Sequence, residues 1–358
     1  MSTIVAIALS GGVDSLVAAA RLQEMGYRPM AFHFLTGYET LDHHTQGTHE
    51  TPSPIERIKK KLSPLTDRLR MELHIVDLRQ EFQSQVVDYF VATYGVGKTP
   101  NPCLVCNPKI KFDLLFQKAR SLGADMIATG HYARIFTDDG GKRRLLRGRD
   151  PLKDQSYFLA RLTQEQLSHA LLPLGEMTKS QTRHYAAQHN LIPATTKESQ
   201  DVCFITAGDY HSFLVKQPGF VARSGPIVDI SGRRIGTHNG LHAFTVGQRR
   251  GINCPAKSPF YVLRLDPYEN CLVVGGKENL GTSACQVEDI NWIVDPPNTA
   301  FRSRVKVRYR HASVPATITP LSERSAEVVF DLPEAAVTPG QGAVFFNDNE
   351  VLGGGWIQ

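Results

Sequence analysis

The chain has 358 residues, 41% of them hydrophobic and 21% charged, with a formal net charge of +5 and a pI near 8.8. This length allows two or three domains with separate cores, and so mild a basicity fits nucleic-acid binders as well as enzymes that never meet nucleic acid. With no apolar run of about 18 residues, no basic and apolar leader, and six cysteines without framework spacing, neither a membrane span nor a secretory signal is indicated, a disulfide scaffold is argued against, and a cytoplasmic location with reduced thiols is expected.

Residues 3–9 are an apolar run that predicts a short buried strand, and residues 16–25 predict a helix. Between strand and helix stands the stretch Ala8-Leu9-Ser10-Gly11-Gly12-Val13-Asp14-Ser15. Its glycines let the backbone turn sharply and approach a ligand, the new helix offers unpaired N–H groups and the positive end of its dipole, and Ser10 and Ser15 add hydroxyl donors. Such a strand, turn and helix start is an anion cradle. No Lys follows the glycines, so this is not a Walker A loop; it resembles instead the loop of the N-type ATP pyrophosphatases, which hold the phosphates of ATP and release pyrophosphate while adenylating a carbonyl oxygen. A near match to the Walker pattern at residues 92–99 is rejected, because residues 82–94 read as a helix and Pro100 and Pro102 discourage the helix that should follow.

Residues 29–35 predict a second strand, and residues 36–54 a polar connection whose His43, His44 and His49 lack metal-site spacing and read as loop. A basic helix (55–70), a third strand (72–76), two more helices (82–94 and 109–122) and a fourth strand (125–129) ending in Gly130-His131-Tyr132 follow. This βα alternation implies a parallel sheet covered on both faces, with its ligand at the carboxyl ends of the strands, where Ser10, Phe34 and Gly130 fall. Residues 132–146 predict a hairpin around Asp138-Asp139-Gly140-Gly141, and Thr178 with Gln181 forms a capping box opening a helix. Beyond about residue 210 the pattern changes to short strands and Gly-containing turns, which predicts an all-β C-terminal third with a small barrel. Within it, Arg302, Arg304, Lys306, Arg308 and Arg310 alternate with Phe301, Ser303, Val305, Val307 and Tyr309. Period two puts the five cations on one strand face, where a nucleic-acid backbone is expected to lie.

The remaining chemistry lies in the thiols. Thr99-Pro100-Asn101-Pro102-Cys103-Leu104-Val105-Cys106-Asn107 reads as a Pro-stiffened loop opening a helix at about Pro108. Cys106, near that helix start and near Lys109 and Lys111, is expected to have a lowered thiol pKa and to serve as a nucleophile or metal ligand. Cys203 in its apolar Val-Cys-Phe-Ile run reads as core by itself, and Cys254, Cys271 and Cys285 read as structural.

Taken together, Ser10-Gly-Gly-Val-Asp-Ser15, Thr99-Pro-Asn-Pro102, Gly130-His-Tyr132, Lys153-Asp-Gln-Ser-Tyr157, Cys203-Phe-Ile205, Gly247-Gln-Arg249, Ala336-Val-Thr-Pro-Gly-Gln341 and Gly353-Gly-Gly355 make nearly the whole chain similar to the bacterial tRNA-specific 2-thiouridylases. That resemblance implies an α/β fold: a parallel-sheet nucleotide-binding domain of the adenine nucleotide alpha hydrolase type at residues 1–205, a small central β-rich domain at 206–282 and a tRNA-binding β-barrel at 283–358. It implies that Ala8, Leu9, Ser10, Gly11, Gly12, Val13, Asp14, Ser15, Phe34 and Gly130 hold ATP with Mg²⁺. Asn101, Pro102 and Cys103 would face the target base, and His131, Lys153, Asp154, Gln155, Arg308, Tyr309 and Gln341 would contact tRNA. The family chemistry is ATP-dependent 2-thiolation of the wobble uridine: O2 is adenylated, and sulfur from a persulfide on the residue matching Cys203 is delivered with help from the one matching Cys106. The sulfur donor, a persulfide carrier or sulfide, is left open.

The chain departs from that pattern where Asn101-Pro102-Cys103 replaces Asn-Pro-Asp, and where Phe34-Leu35-Thr36-Gly37 replaces Met-Lys-Asn-Trp. The third thiol leads to the expectation that Cys103, Cys106 and Cys203 hold a [4Fe–4S] cluster with one iron open. A Zn²⁺ site on the same residues and a resolving role for Cys103 stay open beside it. Two rival functions are a related adenylating enzyme acting on a small molecule and a tRNA-binding protein without catalysis.

Overall fold

The computed structural model describes residues 2–39, 53–194, 202–205, 209–255 and 258–358; His43, His44 and His49 lie outside them. The chain divides into two compact units, Met1–Gln85 with Cys103–Thr206 and Asn349–Val351, and Val86–Pro102 with Ala207–Asp348 and Leu352–Gln358.

In the first unit, β1 (Ile4–Ala8), β2 (Arg28–Leu35), β3 (Leu73–Asp77), β4 (Met126–Ala128), the hairpin β5 (Ala133–Thr137) and β6 (Arg143–Arg147), and β7 (Ala170–Leu171) follow in chain order. Five of them make a parallel sheet in the order β3-β2-β1-β4-β7. Val5, Ala6 and Ile7 of β1 are fully buried, which is why β1 reads as a continuous apolar run instead of an alternating one. Helix α1 (Val13–Glu24) covers the sheet with Leu16, Val17, Ala18, Ala19 and Leu22. Since β1 has β2 on one side and β4 on the other, the strand order reverses at β1 and opens the ligand crevice at its carboxyl end. The hairpin forms as read, with Ala133 opposite Arg147, and β6 also pairs Leu146 with Glu350. The helix Lys179–Gln188 is capped as read: Thr178 Oγ1 accepts from the Gln181 amide at 3.2 Å, and Gln181 Oε1 accepts from the Thr178 amide at 2.8 Å.

The helix carrying the CxxC thiols begins earlier than the sequence suggests. It runs from an α-helical turn Cys103–Cys106 through a π-helical stretch Asn107–Leu115 to an α-helical end Phe116–Ser121. Cys106 therefore lies inside it, a turn beyond its start.

In the second unit, β8 (Gly225–Val228), β9 (Arg234–His238), β10 (Tyr261–Asp266) and β11 (Cys271–Gly275) form a sheet in the order β10-β11-β8-β9 over Ile227, Leu241, Phe244, Ile252, Val262, Leu272 and Val274. Next come β12 (Gly281–Trp292), β13 (Phe301–Lys306), β14 (Val314–Ser322), β15 (Ser325–Ala335), β16 (Gly342–Asn347) and β17 (Glu350–Ile357), in the order β12-β15-β14-β13-β16-β17. Residues 353–357 of β17 pair with β12, closing a six-stranded barrel. Alternate inward residues such as Val305, Ala316, Ile318, Ala326, Val328 and Phe345 fill it.

The five-cation strand needs correction. Pairing of β13 with β14 ends at Val305 and with β16 at Lys306, so residues 307–310 have no neighbouring strand in register and turn away. Arg302 pairs with Asp331 of β15 over the intervening β14, Arg304 donates to the Ser313 carbonyl, and Lys306 is buried with its ammonium 5.3 Å from the Tyr309 ring. Arg302, Arg304 and Lys306 alternate along β13 but each has an internal partner, and Arg308 and Arg310 lie beyond the strand. Segment 86–102, continuous in sequence with the nucleotide domain, groups with the second unit.

Candidate active site

The phosphate loop leaves β1 at the switch point. Gly11 has φ +80°, a left-handed conformation that favours glycine, and a Cβ there would come within 2.9 Å of Leu62. Gly12 is the N-cap of α1, and the first bond of the helix runs from the Leu16 amide to the Gly12 carbonyl at 3.3 Å. The amides of Val13, Asp14 and Ser15 consequently stand outside the intrahelical ladder. Ser15 Oγ donates to the Gly12 carbonyl at 2.9 Å and lies 3.3 Å from Ser10 Oγ, so both hydroxyls line the same turn. Gly130 closes the other wall: a Cβ on it would meet the Asp14 carbonyl carbon at 3.0 Å and the Ser15 nitrogen at 3.1 Å. Phe34, half-buried near the end of β2, lies on the neighbouring strand. Cradle, donors and glycine walls suit a polyphosphate.

Asp14 is held by Tyr132 of the Gly130-His131-Tyr132 stretch and by Lys179, which the sequence reading did not single out. Lys179 Nζ lies 2.8 Å from both carboxylate oxygens, and Tyr132 donates its hydroxyl to Oδ1 at 2.7 Å while standing 2.9 Å from Thr182 Oγ1. Burial first, and then the Asp14 charge, keep the Tyr132 phenol protonated far above neutral pH. The only sequence signal for Lys179 is its place as the first residue after the Thr178 cap. Both Asp14 oxygens therefore have hydrogen-bond partners within the protein.

The three thiols expected to act together do belong to one neighbourhood. Cys103 is half-buried, Cys106 buried and Cys203 exposed, and all are free. Phe204, fully buried against Tyr38 and Phe82 with ring centroids 5.7 and 5.8 Å away, anchors the segment that presents Cys203. The Cys106 thiol is not lowered as its neighbours in sequence suggested. Burial pushes the Cys106 thiol up to about 12 and the Cys103 thiol up to about 11, and the protein packed around the Cys203 sulfur raises that thiol too, although the residue as a whole is exposed. Two thiols facing a third add to the shift at Cys106 and Cys203 adds to it at Cys103, whereas the Lys111 ammonium opposes it at all three. Lys111 also bears on His131, whose pKa burial lowers well below its usual value, leaving a neutral ring with Nδ1 2.7 Å from Thr129 Oγ1. Among the described residues no group of three His, Cys, Asp or Glu side chains is arranged to hold a metal ion.

Several residues assigned to tRNA by resemblance have internal partners. Asp154 is buried and accepts from the Gly148 and Ser156 amides at 3.0 Å each. Gln155 Oε1 accepts from the Tyr132 amide at 3.0 Å. Lys153 is half-buried in the same turn, its amide donating to the Asp150 carbonyl at 3.1 Å. In the second unit, Gln341 donates to the carbonyls of Thr99 and Pro100 at 3.1 and 2.9 Å, bracing the loop that carries Asn101 and Pro102, both buried. Arg308 donates to the Val246 carbonyl at 2.6 Å and to Thr338 Oγ1, beside a half-buried Tyr309.

A parallel sheet with a Ser-Gly-Gly cradle at its switch point, ahead of a small β domain and a closed barrel, defines a HUP-type nucleotide-binding protein. The model of a tRNA methyl transferase HUP domain matches residues 3–207, that of a tRNA methyl transferase PRC-barrel domain residues 212–276, and that of an aminomethyltransferase β-barrel domain residues 282–357. The chain is 50% identical over 355 residues to a tRNA-specific 2-thiouridylase MnmA of Desulfosudis oleivorans, covering 99% of this chain and 95% of the relative. It is 44% identical to that of Geotalea uraniireducens, covering 99% and 94%. The chain belongs to the tRNA-specific 2-thiouridylase family. Among solved structures, the U34-tRNA thiolase NcsA from Methanococcus maripaludis with its [4Fe-4S] cluster matches at 18% identity and a TM-score of 0.34, covering 59% of this chain and 63% of that one, a likeness too remote to bear on the chemistry.

Proposed function

We propose that the chain is a tRNA-uridine 2-sulfurtransferase that uses ATP to convert the wobble uridine to 2-thiouridine in the cytoplasm, with AMP and pyrophosphate as products. The observation that carries this reading is the occurrence, within one compact unit, of an open phosphate cradle and a cluster of three thiols around Lys111. ATP is a substrate here: the amides of Val13 to Ser15 and the Ser10 and Ser15 hydroxyls receive its phosphates, and uridine O2 attacks the α-phosphorus as pyrophosphate leaves. Mg²⁺ bound with ATP would neutralise charge on the triphosphate, and no step is assigned to it.

Adenylation turns a poor urea-like electrophile into one with a good leaving group. The outer sulfur of a Cys203 persulfide, supplied by an external donor, bonds to C2, its proton passes to solvent, and AMP departs with the former O2. The Cys106 thiolate then attacks Cys203 Sγ and breaks the S–S bond to release 2-thiouridine. A Cys106–Cys203 disulfide remains, and an external dithiol reduces it. Asn101 and Pro102 are assigned to the base, and Arg308, Tyr309 and Gln341 to the tRNA-facing side of the second unit, with Gln341 acting through the loop it braces. The domain division is residues 1–205, 206–282 and 283–358.

A second reading, favoured by the extra thiol at Cys103 within the same electrostatic neighbourhood, has Cys103, Cys106 and Cys203 holding a [4Fe–4S] cluster. Their arrangement is not that of a formed metal site, so no step is derived through a cluster. Nucleoside analysis of tRNA from a deletion strain tests the main reading. Loss of 2-thiouridine derivatives, restored by the wild-type gene and not by Cys203→Ser, is expected, and unchanged 2-thiouridine contradicts the assignment. Iron and sulfide content after anaerobic purification decides between the two sulfur routes.

A further inference from the structure

The half-buried Lys111 has no hydrogen-bond or ion-pair partner among the described residues, although a cation withdrawn from water is ordinarily paired. Its neighbours are neutral instead. In the π-helical stretch Asn107–Leu115 the backbone repeat is five residues, so Lys111 follows Cys106 by one turn on the same helix face. Its charge acts at Cys106, Cys103 and Cys203, opposing burial at each, and at the His131 ring, which burial keeps neutral. Asn107, four residues before it, is 1% exposed; its Nδ2 donates to the Phe158 carbonyl at 2.9 Å and its Oδ1 has no donor among the described residues. That neighbour offers a neutral acceptor and no countercharge. The groups around Lys111 come from three separate stretches of the first unit: the thiol helix, the turn after β4 and the Cys203 segment. An unpaired ammonium among thiols is a positive potential without a resident anion, and a local rule broken in this way is expected where function requires it.

The reaction proposed above supplies the anion. To bond to C2 the outer sulfur of a Cys203 persulfide has to shed its proton, and a sulfur anion surrounded only by neutral groups away from water is costly. We propose that Lys111 is a catalytic residue of the sulfur-transfer step, its ammonium serving as counter-ion to the outer sulfur while that sulfur bonds to C2 and AMP leaves. The sulfur electron pair becomes the new C2–S bond, the pair of the broken C2–O2 bond leaves with AMP, and Lys111 keeps its proton throughout. The same ammonium then faces the Cys106 thiolate that breaks the S–S bond to Cys203. Sulfur is assigned to this cation ahead of phosphate because three of the four groups on which it acts are thiols, and the fourth, His131, only borders the cradle through Gly130.

The proposal rests on the adenylation and persulfide steps of the proposed function, and the two products of ATP separate those steps, since pyrophosphate leaves on adenylation and AMP on sulfur transfer. The full-length protein is persulfidated with inorganic polysulfide, mixed with ATP, Mg²⁺ and unmodified tRNA, and quenched within a single turnover; pyrophosphate, AMP and 2-thiouridine are quantified per persulfidated chain. Lys111→Met, which keeps the length and loses the charge, is expected to release pyrophosphate at the wild-type rate and to form AMP and 2-thiouridine roughly a hundredfold more slowly. Lys111→Arg, always charged, is expected to recover at least about tenfold of that loss. A lysine that merely holds the fold slows both steps when removed, and one that contacts ATP slows pyrophosphate release. Either pattern in Lys111→Met, no slowing at all, or no recovery in Lys111→Arg overturns the proposal. Should Lys111→Met fail to fold by its thermal melt, Lys111→Gln is judged by the same division between the two products. Wild type that releases no pyrophosphate overturns the adenylation reading, and wild type that releases it without forming 2-thiouridine overturns the persulfide route; this inference falls with either.

Discussion

What a thiol can do depends on the medium around its sulfur, and at Cys106 burial outweighs the nearby Lys111 ammonium. The sign of the pH dependence follows. With Cys103 near 11 and Cys106 near 12, both are protonated at neutral pH, and the reactive thiolate grows roughly tenfold per pH unit below those values. Iodoacetamide labelling mapped by mass spectrometry is therefore expected to be slow at pH 7 and to rise steadily through pH 9. Lys111→Met is expected to slow it further at every pH, because the cation opposing burial is lost. Fast labelling independent of pH near neutrality would instead mean a lowered thiol. At this scale the sequence was legible where the backbone alone makes the site, as in Ser10 to Ser15, and misleading where burial decides. Counting the lysines near Cys106 could not reveal that the helix starts at Cys103 and carries the sulfur inside.

Elements were readable where one period dominates. The apolar run of β1, the Thr178 capping box and the hairpin at residues 138–141 all form as their patterns dictate. Period two in residues 301–310 is also real, but a strand lasts only as long as its neighbours supply partners, and those end at Lys306. The consequence for tRNA is quantitative. Of the cations in β13, Arg302 is tied to Asp331 and Lys306 is buried, leaving Arg304 as the exposed one bonded to a neutral carbonyl. Arg304→Ala is expected to lower the slope of log affinity against log salt by no more than about one unit, uniformly across tRNAs, and Lys306→Ala to act on stability instead. Filter binding over a salt series measures both. A loss of two or more units for Arg304→Ala would show that the turn regroups its cations around the ligand.

At the level of the whole molecule, the order of an α/β domain before β-rich ones was legible from the change of grammar near residue 210, whereas the placement of segment 86–102 was not. Sequence contiguity assigns that segment to the first domain, but its own contacts, such as Tyr94 stacked on Tyr210 at 5.1 Å and Phe90 edge-on to Phe213 at 6.1 Å, lie in the second unit. Long-range packing of this kind leaves no local periodicity to read. Near the end of the segment the Thr99 and Pro100 carbonyls accept from Gln341, so the loop proposed for the target base groups with the barrel unit although it precedes the thiol helix in sequence. ATP cleavage and sulfur transfer are proposed as one coupled reaction. The direct measurement is to supply the purified protein with ATP, Mg²⁺, a sulfide or persulfide source, a dithiol and unmodified tRNA, and to quantify 2-thiouridine, AMP and pyrophosphate together. Equimolar appearance of all three, with sulfur only at the wobble position, is predicted; 2-thiouridine formed without ATP, or AMP formed with no thiolated base, would contradict the account.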